Sequence, residues 1–161
     1  MQNSPLPQYR QHHEVEAPVI DAKEFRLGWR RRSRLFSLAE SGRIGREELV
    51  AGLALRAAFE AVGHQRTQQW SAKIDQVLLP GSRTQHELRA ARLIKQAAAA
   101  LGRKRMTVLE FHLVSDMPWN AIGRRLNIGR DTAVRRVVEA LEALALWRAG
   151  KPVPKPPRIR I

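Results

Sequence analysis

The sequence predicts an all-α protein, a helical bundle that ends in a trihelical helix-turn-helix unit. Three observations carry that expectation. Residues 105–147 hold two helix patterns joined by a turn of about four residues, with apolar positions where two crossing helices need them. Apolar residues recur at three- and four-residue spacing over most of the chain from residue 25 onwards, and glycines stand at the ends of these patterns. No segment alternates apolar and polar residues convincingly, as a half-buried strand would.

Taken in order, residues 1–22 are polar, contain three prolines and keep no period, so a disordered tail is expected. Phe25 to Ala39 reads as a helix, with Leu27, Trp29, Leu35 and Leu38 apolar, and Arg26, Arg30, Arg31, Arg32 and Arg34 forming a basic face. Gly42 ends it. A second helix is expected from about Arg46 to Val62, with Leu49, Leu53, Ala57 and Val62 on one side, Glu47 and Glu48 in its first turn, and Gly63 closing it. The intervening Gly42-Arg43-Ile44-Gly45 has the form of a loop that clamps RNA backbone. That loop belongs to a fold with a sheet, so two glycines capping neighbouring helices is the better account.

Residues 64–83 are the least legible, although Trp70, Ile74, Val77 and Leu78 suit a short helix before Pro80-Gly81. A helix from about Thr84 to Leu101 follows, with Leu88, Ala91 and Leu93 apolar and Gly102 as its cap. A further one around Met106–Val114 offers Leu109, Phe111 and Leu113 to the core. Beyond Gly150 the tail is basic and proline-rich, suited either to a phosphate backbone or to plain solubility. The expected organisation is a tail (1–22), an N-terminal helical subdomain (23–102), a helix-turn-helix unit (103–149) and a basic tail (150–161).

Within the last unit, Ile122 and Leu126 lie four apart and Ile128 sits in the turn. Ala133, Val137, Ala140, Leu141 and Leu144 form an apolar stripe on the second helix. Gly123 falls where the helices approach too closely for a side chain. Asn127 and Gly129 tolerate turn dihedrals, and Gly129 can cap the next helix. Asp131 suits the helix dipole, with Arg135 as its i+4 partner. Arg130, Asp131, Val134 and Arg135 project from the first two turns, where Arg can bond guanine twice and an apolar group can touch a thymine methyl, so they are the expected base contacts. Arg124, Arg125, Arg136, Arg103, Lys104 and Arg105 are the expected phosphate contacts.

Charge points the same way. The net charge is +14; residues 1–22 carry −2, which leaves +16 on residues 23–161 and favours a polyanion. No apolar run is long enough to span a membrane and no signal pattern opens the chain, so a soluble, cytoplasmic, nucleoid-associated protein is expected. The chain has no cysteine, which excludes disulfides and thiolate chemistry. No two of His12, His13, His64, His86 and His112 have zinc-site spacing on a helix, and His112 reads as a core residue. Glu139 and Glu142 share a helix face but suit solvated pairing with nearby arginines. Neither an enzyme nor a cofactor or metal is expected.

Met106 to Leu146 resembles the helix-turn-helix of region 4 of bacterial sigma factors and of response-regulator output domains. Leu126-Asn127-Ile128-Gly129-Arg130-Asp131-Thr132-Ala133 stands in the place of their Leu-Gly-Val-Ser-x-x-Thr-Val, with Asn127 replacing the turn glycine and Ala133 a β-branched core residue. The resemblance covers about a quarter of the chain, and no other sigma-factor region is recognisable upstream. More loosely, Leu35 to Trp147 is similar to an uncharacterised family of bacterial and phage-type helix-turn-helix proteins, through Ala51-Gly52, Leu55-Arg56, Phe59-Glu60, Ile74-Asp75 and Val138-Glu139-Ala140-Leu141.

The resemblance implies a transcriptional regulator that binds double-stranded DNA, dimeric if its site is palindromic, with Leu144–Trp147 as an available contact. The alternative is a basic helical adaptor docking an acidic surface, on RNA polymerase or a phage packaging complex, through Trp29 and Phe36. Single-strand or RNA binding ranks lower, because interleaved exposed aromatics are missing.

Overall fold

Six α-helices and one short ribbon make up the residues described by the computed structural model, which are 19–21, 26–28, 33–63 and 84–155. The ribbon is β1 (Val19–Asp21) against β2 (Arg26–Gly28), antiparallel, with Ile20 opposite Leu27. The helices are α1 (Arg34–Glu40), α2 (Arg46–Ala61), α3 (Gln85–Leu101), α4 (Arg103–Leu113), α5 (Trp119–Leu126) and α6 (Arg130–Arg148). The class is all-α.

The helix expected over 25–39 is divided. Its first part supplies β2, and α1 starts only at Arg34. Phe25, Leu27 and Trp29 alternate with Arg26, Gly28 and Arg30, a period-two signal, and Val19-Ile20 is a β-branched pair to set against it. The short helix expected around Trp70–Leu78 lies outside the described residues.

Local chemistry sets the remaining boundaries. Gly42 and Gly45 do flank neighbouring helices, with Gly45 as the N-cap of α2. The Glu48 carboxylate accepts the Gly45 N–H at 2.9 Å, which is half a capping box, since glycine has no side chain to return the bond. At α3 the Thr84 hydroxyl accepts the Glu87 N–H at 3.1 Å. Of the expected buried side of α2, Val62 at its C-terminal cap is buried, and the rest of the buried face is a different one. Ala51, Gly52, Leu55, Ala58 and Phe59 turn inward, while Leu49 and Leu53 are half-buried and Ala57 is exposed. Much of this helix's circumference is apolar, so bulk and fit decide. Phe59 takes the deep position, and Gly52 lets α2 approach α6 and α1, where an added Cβ would stand 3.1 Å from Leu141 and Leu35 side-chain carbons.

Buried residues of all six helices form one core. Its axis is α6, which packs on α2, α3, α4 and α5. The expected boundary at 102/103 falls on the one residue between α3 and α4. Leu144 and Ala145 are buried and Trp147 packs on the core, so most of the apolar end that suggested a dimer contact lies inside. Among the described residues no helix is long and apolar enough to cross a membrane.

Candidate nucleic-acid interface

Helix α5 stops because Asn127 adopts the left-handed conformation (φ 54°, ψ 45°). The Ile128 N–H then reaches back to the Gly123 carbonyl at 2.9 Å and the Asn127 N–H to that of Arg124, a Schellman closure. The link to α6 is three residues, one fewer than expected, and Gly129 serves as the N-cap of α6 as its position implied. Gly123 is required by the carbonyl oxygen of Ile128, which a Cβ would approach to 2.8 Å. Backbone cannot swing aside there as a flexible side chain would. Gly123→Ala should therefore lower stability by about 1–3 kcal/mol. Chemical denaturation checks this, and a loss of under about half a kcal/mol would show that the turn yields freely.

Two contacts set the start of α5. The Trp119 ring stacks on His112 with centroids 5.0 Å apart, and the Arg34 guanidinium bonds the Asp116 carbonyl at 2.9 Å and its carboxylate at 3.2 Å. His112 is a core residue, as expected. Among the described residues neither ring nitrogen has a partner, and burial lowers its pKa to about 4, with Asp116 opposing the shift and Arg34 adding to it.

Of the four expected base-contacting residues, Arg130, Asp131 and Arg135 are exposed at the start of α6. Val134 is only 6 % exposed, so its side chain is not available to a base. The correction has a physical cause: α6 is packed by α4 and α5 on one side and by α2 on another, which widens its buried arc beyond a single stripe. No ion pair joins Asp131 to Arg135 among the described residues. Arg136 pairs with Glu139 at 3.4 Å, the solvated pairing expected of that glutamate.

Among the expected phosphate contacts, Arg124, Arg125, Arg103 and Lys104 are exposed, and Arg125 lies over the Phe111 ring at 6.0 Å. Arg105 differs. It is half-buried and donates to the Pro154 carbonyl at 2.7 Å, pinning the start of the basic tail beside α4, so a phosphate would have to displace that bond.

A groove of about 310 Å³ runs beside this surface, between Asp131, Val134, Arg135, Val138 and Glu142 of α6 and Arg43 of the α1–α2 turn. Arg43 is not among the expected contacts, and nothing local in sequence announces that it meets α6. The same is true of Arg34 and Asp116, 82 positions apart.

The charge is lopsided. Residues 33–63 hold four cations and four carboxylates, whereas residues 84–155 hold fourteen cations against six carboxylates. No group of three or more histidines or carboxylates among the described residues is placed to hold a metal ion. Comparison with known proteins finds no matching family model, no matching curated protein and no matching solved structure.

Proposed function

We propose that α4, α5 and α6 are a helix-turn-helix unit that binds double-stranded DNA sequence-specifically, in a transcriptional regulator of bacterial or phage type. The observation that carries the reading is the tip of α6. Arg130, Asp131 and Arg135 stand in solvent without a protein ion pair among the described residues, on a helix whose opposite side is locked into the core. A helix presented by its N-terminal turns fits the major groove, with Arg130 and Arg135 toward guanine edges and Asp131 accepting from a cytosine amino group. Farther along α6 stand the exposed Glu142 and the half-buried Glu139, and Glu142 repels phosphate, so insertion is end-on rather than lengthwise. Arg124, Arg125, Arg103 and Lys104 hold the flanking backbone.

The test begins with selection of a preferred site from random duplexes. Arg130→Ala and Arg135→Ala should each weaken that site by about 1–3 kcal/mol and relax its sequence preference. Arg124→Ala should weaken preferred and random duplexes alike and reduce the salt slope by about one. Equal losses on both kinds of duplex for all three variants overturn the division of roles.

A further inference from the structure

The outer face of α3 has no part in the reading above, yet it is the most one-sided surface described. From Leu88 to Leu109 the chain has six cations (Arg89, Arg92, Lys95, Arg103, Lys104 and Arg105) and no carboxylate. Arg89, Arg92 and Lys95 are exposed and three apart, so they stand in one row roughly 9 Å long opposite the buried Ala90, Ala91, Ile94, Ala97 and Leu101. Exposed Ala99 and Ala100 put no long side chain between this row and the exposed Arg103 and Lys104.

Among the described residues, three cations elsewhere are neutralised within the protein. Arg56 pairs with Glu60 at 3.0 Å, Arg136 with Glu139 and Arg34 with Asp116. No such pair forms on α3 among the described residues. Its one carboxylate, Glu87, has Ala90 and Ala91 at the positions where a helical partner would stand. Like charges three apart repel, so the row costs the isolated helix stability.

We propose that this α3–α4 edge is a second nucleic-acid surface, one that binds the phosphate backbone without reading sequence. A protein partner is the poorer fit, because an interface of that kind needs an apolar or aromatic anchor, and among the described residues the fully exposed positions of α3 are cations, glutamines, alanines and His86, with Leu88 half-buried beside them. A uniform row of long cationic side chains matches a polymer with one charge per phosphate. The edge extends the proposed DNA binding beyond α6, and its α3 row has no part in that reading.

The experiment titrates the full chain with a random-sequence duplex and with the selected preferred site at about 50 to 200 mM salt, comparing wild type, Arg135→Ala and the triple variant Arg89→Gln, Arg92→Gln, Lys95→Gln. The triple variant should melt at the same temperature or higher. Its log-affinity against log-salt slope should be shallower by about 2.7, close to 0.9 for each phosphate no longer neutralised. An unchanged slope and affinity overturn the proposal, as does a wild type that binds poly-aspartate but no duplex. If the triple variant misfolds, Arg92→Gln with Lys95→Gln tests the same row, with about two thirds of that change expected. Loss of site preference in Arg135→Ala with no effect of the triple variant removes only the edge. The reverse pattern keeps the edge and removes the α6 reading, and a wild type that binds no duplex removes both.

Discussion

Phe59→Ala should destabilise the whole described helical bundle by about 3–5 kcal/mol, the largest effect expected from a single substitution here. Phe59 is fully buried, two turns along α2 from Gly52 and on the same side, where α2 meets α6. Truncation to alanine removes most of an aromatic side chain and leaves a cavity that the close-packed helices cannot fully collapse around. Because all six helices share one core, α4, α5 and α6 should lose stability together with α1 and α2. Tryptophan fluorescence, with Trp119 on α5 and Trp147 on α6, and far-ultraviolet circular dichroism should report coincident denaturation curves, shifted alike. Separate transitions, with the tryptophan signal unmoved, would show that the two halves fold independently.

Acidification is the second large effect. Because the His112 pKa falls from the ordinary 6.5 to about 4 on folding, the unfolded chain takes up a proton at pH values where the folded protein does not. Its contribution is therefore fully present above pH 6.5 and is lost as the pH drops toward 4. The window is about 2.5 pH units at 1.36 kcal/mol each, on the order of 3 kcal/mol. Carboxylates titrate nearby, so the measurement is the difference between wild type and His112→Phe, which keeps a ring against Trp119 and has no proton to gain. Between pH 7 and pH 4 the wild type should lose on the order of 3 kcal/mol relative to His112→Phe, whichever of the two is the more stable at pH 7. Parallel profiles for the two proteins through that window would assign the acid sensitivity elsewhere.

What the sequence made legible was local. The caps at Gly45 and Gly129, the steric demand at Gly123 and the burial of His112 all follow from near neighbours, and each stands where its neighbours imply. Val134 could not be placed that way, because its burial depends on how many helices surround α6. Arg105 is tied down only because the chain returns 49 positions later to bring Pro154 beside it. The helix expected from Phe25 failed for a different reason. Both periodicities are present there, and pairing with Val19–Asp21 settles the contest for Arg26–Gly28. Arg43 shares a groove with Asp131 and Arg135 only because α2 folds back on α6.

The electrical neutrality of residues 33–63 beside the surplus on 84–155 gives the described helices a polarity in an external field. Near a strongly anionic body the pull on α3 to α6 exceeds that on α1 and α2. Productive collisions then make up a larger share of all encounters than random tumbling would allow, and dissolved ions erode that advantage by shortening the range over which the turning force acts.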